Sequence, residues 1–76
     1  MIGYVAKDKD KEVYLHLEEP SYDYELEGWY SSSEIINITR QFPEFNTISY
    51  TDDPIKVEIK FEKYEENKIE TLTKRI

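Results

Sequence analysis

Cysteine is absent from the 76 residues, histidine occurs once and glycine twice. Without cysteine there is no disulfide, no thiolate nucleophile, no iron–sulfur cluster and no Cys-ligated zinc. His16 stands alone, which excludes multi-histidine metal sites and leaves a single imidazole base. Gly3 and Gly28 are too few for a GxGxxG turn and too far apart for a P-loop. No apolar run approaches the roughly 20 residues of a membrane span. The stretch Met1–Ala6 reads as neither a secretory signal nor, with Ile2 at the second position, a myristoylation signal. These absences predict a cytoplasmic, non-enzymatic protein with no catalytic residue, no cofactor and no bound metal.

What is present predicts a single compact domain, residues 1–76. A chain of this size buries only roughly 60% of the surface its unfolded form exposes, so it builds one thin core and no large cleft. Hydrophobic residues make up 38% and aromatic residues 14% of the chain, too much for a disordered segment. The net charge is -7, and it is unevenly placed. Residues 1–11 carry net +1, residues 40–76 net -1, and residues 12–39 net -7, with no Lys or Arg among them. That middle stretch holds Glu12, Glu18, Glu19, Asp23, Glu25, Glu27 and Glu34 together with five of the 11 aromatics. Such a segment repels phosphate backbones and anionic lipid and attracts a basic partner.

Hydrophobic alternation places strands at both ends of the chain. Ile2, Tyr4 and Ala6 share one face, as do Val13, Leu15 and Leu17. A two-residue loop at Lys9-Asp10 sets Ala6 opposite Val13, Tyr4 opposite Leu15 and Ile2 opposite Leu17, and it also pairs Lys7 with Glu12 and Asp8 with Lys11. Ile55, Val57, Ile59 and Phe61 alternate with charged residues, and residues 68–74 return after a Glu66-Asn67 loop. That second register sets Phe61 opposite Leu72, Lys63 opposite Glu70, Glu65 opposite Lys68, Glu58 opposite Arg75 and Val57 opposite Ile76. Residues 22–27 read as an edge strand with Tyr22, Tyr24 and Leu26 inward, and Asp52-Asp53-Pro54 reads as a turn. Residues 47–50 read as a short strand or an extended link.

Ser31-Ser32-Ser33-Glu34 has the form of a capping box, followed by Ile35, Ile38 and Phe42 at helical spacing and by the stop signal Pro43. The expected fold is therefore α+β: a mostly antiparallel sheet of 4–5 strands (two hairpins and an edge strand) with one short helix packed on one face. The other face, presenting Val5, Tyr14, His16 and the Lys/Glu row of residues 56–62, is expected to be open.

Few side chains suggest chemistry. His16 would need a serine and an acid gathered around it, and capping already explains the serines at 31–33. The pairs Glu18-Glu19, Asp52-Asp53 and Glu65-Glu66 lack the sheltered cleft of an acid–base site and suit solvated turns. Asp8, Asp10 and Glu12, like Asp23, Glu25 and Glu27, alternate without the enclosing geometry of a calcium loop. Asn37-Ile38-Thr39 matches a glycosylation sequon but falls inside the predicted helix.

The remaining candidate is the acidic, aromatic segment 18–30. Asp23, Glu25 and Glu27 on an extended strand would form an outward row about 6.7 Å apart, able to imitate a line of phosphates. Tyr and Trp are also the residue types enriched in binding hot spots. Glu18, Glu19, Tyr22, Asp23, Tyr24, Glu25, Glu27, Trp29 and Tyr30 are therefore the expected partner-binding residues. The expected partner is a protein with a basic surface, not nucleic acid or membrane, and the protein itself is expected to be a monomer or homodimer. The role would be that of an inhibitor, antitoxin-like factor or adaptor. The alternative is a structural or homo-oligomeric subunit associating through the open sheet face.

Overall fold

The computed structural model describes residues 1–66 and 68–75. Its strands are β1 (Ile2–Lys7), β2 (Val13–His16), β3 (Ser21–Asp23), β4 (Gly28–Tyr30), β5 (Ile35–Asn37), β6 (Ile55–Lys63) and β7 (Lys68–Lys74). Five of them form an antiparallel sheet in the order β5-β2-β1-β6-β7, and β3 pairs with β4 in a separate two-stranded ribbon. No α-helix occurs among the described residues; there are only 3-10 turns at Pro43–Phe45 and Tyr64–Glu66. The fold is nearly all sheet, which corrects the α+β expectation.

The predicted helix fails at both ends. Ser33 Oγ, expected in the capping box, instead accepts the amides of Leu17 and Glu18 at 3.1 and 3.2 Å, at the end of β2. Ile35–Asn37 then pairs with β2 as an edge strand, which suits its β-branched isoleucines. At its far end Thr39 Oγ1 accepts the Val13 amide at 2.8 Å and donates to Asn37 Oδ1 at 2.7 Å. A single helical turn, Phe42 N–H to the Ile38 carbonyl at 2.9 Å, is all that forms before Pro43. Ile38, Phe42 and Phe45 nevertheless reach the core, where they join Val5, Val13, Leu15, Val57, Ile59 and Ile69. Irregular chain thus covers the face where a helix was expected. Residues 47–50, expected as a strand or link, form turns and bends.

The first hairpin is one residue out of the expected register. Val5 lies opposite Leu15, Ala6 opposite Tyr14 and Tyr4 opposite His16. The loop has an added residue because Lys9-Asp10 lacks the glycine or asparagine that a two-residue turn needs. Lys11 adopts φ 71°, and Asp8 N–H bonds to the Glu12 carbonyl at 3.0 Å, closing a three-residue loop. A one-residue slip moves every β1 side chain to the other face. Val5 is therefore fully buried in the core rather than on an open face, and Ala6 lies on the opposite face across from Tyr14. Gly3 shares the core face with Val5, and the position suits glycine because a Cβ there would come 2.5 Å from Ile59 Cδ1 and 3.1 Å from the His16 carbonyl.

The β6–β7 hairpin differs by two residues, which preserves the faces. Ile59 lies opposite Leu72, Val57 opposite Lys74 and Glu58 opposite Thr73, with irregular pairing between Lys60 and Lys63 that sets Phe61 opposite Ile69. Lys63 faces Lys68 rather than Glu70. Arg75 still reaches Glu58 at 3.6 Å as a diagonal neighbour. The expected Glu65–Lys68 pairing is replaced by a 3-10 turn at Tyr64–Glu66. The loop role of Asn67 and the pairing of Val57 with Ile76 lie outside the described residues.

Candidate functional site

The expected strand over 22–27 ends at Asp23. Asp23 Oδ1 accepts the amides of Glu25 and Leu26 at 2.9 and 3.0 Å, a side-chain turn that bends the backbone away from extension. Glu27 closes the turn at φ 54°. Tyr24 and Leu26, expected inward, are 86% and 65% exposed at the tip of the ribbon. The regular outward row of Asp23, Glu25 and Glu27 does not form, and the phosphate-mimic reading that depended on it loses its geometry.

The ribbon instead gathers aromatic rings. Tyr22 packs edge-on between Tyr24 and Trp29, with centroids at 5.1 and 5.3 Å and interplanar angles of 70° and 75°. The Trp29 amide is held by Asp8 Oδ1 at 3.0 Å, and its indole N–H donates to the Tyr50 carbonyl at 3.2 Å. These bonds tie β4 to the first hairpin and to the loop before β6. Ser49 and Asp52 stiffen that loop, with the Ser49 amide bonded to Asp52 Oδ2 at 2.8 Å and the Asp52 amide to the Ser49 carbonyl at 3.0 Å.

Two concavities result. One, of about 350 Å³, is lined by Tyr22, Tyr24, Trp29, Tyr50, Thr51 and Asp53. The other, of about 320 Å³, is lined by Tyr4, Glu19, Pro20, Trp29, Asp53 and Pro54. Trp29 and Asp53 belong to both, so the two adjoin across these residues as a two-part trough whose lining includes Glu19 and Asp53 and no Lys or Arg. The Lys9 ammonium lies 6.0 Å from the Tyr50 ring centroid, but Glu27 holds it at 3.0 Å. That hydrogen bond and charge raise the Lys9 pKa above its ordinary value. Among the described residues, Glu27 is the one acid of segment 12–39 within ion-pair reach of a base. On β6, β7 and the turn between them, Lys60 pairs with Glu70, Arg75 with Glu58, and Lys63 and Lys68 with Glu66. Among the described residues the other six acids of segment 12–39 are in no ion pair, and of these Glu19 lines the trough, together with the likewise unpaired Asp53.

Of the expected partner-binding residues, Glu19, Tyr22, Tyr24 and Trp29 line the trough. The others do not. Glu18 bonds to Ser32, Asp23 caps the turn, Glu25 is exposed at its tip, and Glu27 holds Lys9. Tyr30 is 48% exposed, with its ring over Gly28. Sequence reasoning missed Tyr4, Tyr50 and Asp53. Asp53 was read only as a turn residue, and Tyr50 carried no pattern before the loop placed it beside Trp29.

His16 is not on an open face. It is 1% exposed, with Nδ1 at 2.9 Å from Ser31 Oγ, which lies 3.0 Å from Ser33 Oγ. Burial lowers its pKa below the ordinary 6.5, against the opposing charge of Asp8. The serines at 31–33 thus bond to β2 and its histidine rather than cap a helix. Neither His16 nor Ser31 lines the trough, so the pair fastens the β4–β5 connection to β2. Among the described residues no cluster of three or more His, Asp or Glu is placed to hold a metal ion, and no helix is long and apolar enough to cross a membrane.

Comparison with known protein families, curated proteins and solved structures finds no match to this chain.

Proposed function

We propose that this protein is a non-enzymatic binding module that engages a basic partner through the trough centred on Trp29. The observation that carries the reading is the convergence of Tyr4, Tyr22, Tyr24, Trp29 and Tyr50 with Glu19 and Asp53, in walls that contain no Lys or Arg. Aromatic rings supply large contact area at little entropic cost, and unpaired carboxylates steer a cationic surface toward them. The free part of the main sheet supports this reading over self-association. It presents Lys56, Lys60, Thr71 and Thr73, all exposed and polar, where a dimer interface would favour apolar side chains.

The test is the binding of a basic probe, tetra-arginine, to immobilised protein at low and at high salt. Binding is expected to fall steeply with ionic strength and to drop in the double variant Glu19→Gln with Asp53→Asn. Undiminished binding by the double variant would show that these carboxylates attract nothing.

A further inference from the structure

From the shape and chemistry of the trough we infer that its occupant is a proline-rich segment in the polyproline II conformation, flanked by a basic residue. This rests on the binding-module reading above and names the chemistry of the partner.

The shape favours an extended ligand. Two concavities of about 350 and 320 Å³ lie side by side with Trp29 and Asp53 between them, which suits an extended ligand that crosses these residues better than a compact one held in a single pocket. Tyr24 and Trp29 each stand steeply to Tyr22, at 70° and 75°, which makes the surface ridged rather than flat. Ridged aromatic grooves accept the stiff, three-residue-per-turn polyproline helix, whose pyrrolidine rings seat between the rings of the protein. Its backbone carbonyls make no internal hydrogen bonds, so the tyrosine hydroxyls and Thr51 can donate to them. Such a ligand loses little conformational entropy on binding, which matters for a small surface.

Charge fixes the flank. Asp53 sits in the shared wall and Glu19 lines one side, while the nearby cation, Lys9, is already held by Glu27. A Lys or Arg beside the prolines completes that pairing. The carboxylates also oppose single-stranded nucleic acid, which could otherwise stack on the same rings. Strand addition at β7 is discouraged, because this edge strand carries Lys68, Glu70 and Lys74.

Trp29 is the sole tryptophan, so its emission reports occupancy directly. Three synthetic probes decide the matter: Arg-Arg-Ala-Pro-Pro-Ala-Pro-Pro, the same peptide with every proline replaced by alanine, and the same peptide with both arginines replaced by glutamine. The first is expected to bind about tenfold tighter than either of the others. Tyr24→Ala removes an almost fully exposed ring and is expected to weaken that binding about tenfold while leaving the circular dichroism spectrum and melting temperature in place. Equal binding of the proline and alanine peptides, with tetra-arginine still bound, overturns the polyproline inference and leaves the basic-partner reading standing. Binding of none of these probes overturns both. Tight binding that ignores Tyr24→Ala places the occupant elsewhere and overturns the site.

Discussion

The indole N–H of Trp29 donates to the carbonyl of Tyr50 at 3.2 Å, joining residues 21 apart in the chain. The bond fixes the middle of the acidic segment against a loop that carries its own tyrosine and aspartates, and Trp29 and Tyr50 both line the first concavity of the trough. Trp29→Phe keeps a ring and removes the donor. It is expected to cost about 0.5–1.5 kcal/mol in chemical denaturation, the net worth of one hydrogen bond, and to weaken tetra-arginine binding as Asp53 loses its fixed position. Unchanged stability and binding would mean that the Tyr50 loop is held by other contacts.

Ile35 and Ile38 separate the observed fold from a helical one. A helix packed through its isoleucine stripe would bury both. Here Ile38 is fully buried and Ile35 is 52% exposed on an edge strand. Ile38→Ala is expected to destabilise by about 2–5 kcal/mol and Ile35→Ala by about 0.5 kcal/mol or less. Similar losses from the two would contradict the strand assignment.

His16 titrates below its ordinary value because burial disfavours the imidazolium. The unfolded chain then takes up a proton before the native one does. The histidine's contribution to stability is complete above about pH 6.5 and is lost as pH falls toward the depressed native value. As the one histidine in the chain, its ring protons give a resolved NMR titration, expected to have its midpoint below 6.5. A midpoint at or above that value would show that Asp8 outweighs burial.

Lys11 occupies the left-handed region at φ 71°, where a Cβ is unfavourable. Lys11→Gly is expected to stabilise by about 0.5–1 kcal/mol, the relief of strain exceeding the added flexibility of the unfolded chain. A loss of stability of that size would contradict the three-residue loop.

Much of the sheet was legible in the alternation of its strands, most clearly in Ile55–Phe61, where the pattern of burial follows the sequence. The register of the first hairpin was not, because the more apolar face of β1 is not the one that meets the core. Ile2, Tyr4 and Ala6 compete with Val5, and only the unusual backbone at Lys11 decides between them. The helix was misread because Ser31–Glu34 satisfies a local capping pattern, while the partners its serines take, His16 and the amides of Leu17 and Glu18, come from β2. The tyrosines of segment 22–24 were visible as binding residues from their type. Their convergence with Tyr50 and Asp53 was not, because long-range loop placement leaves no periodic trace in a sequence.

The most direct measurement is amide and indole chemical-shift mapping of the isotope-labelled protein with Arg-Arg-Ala-Pro-Pro-Ala-Pro-Pro. The account predicts the largest changes at the Trp29 indole N–H, Tyr22, Tyr24 and residues 50–53, with β6 and β7 little affected. Changes confined to β6 and β7, or a spectrum indifferent to the peptide, would contradict it.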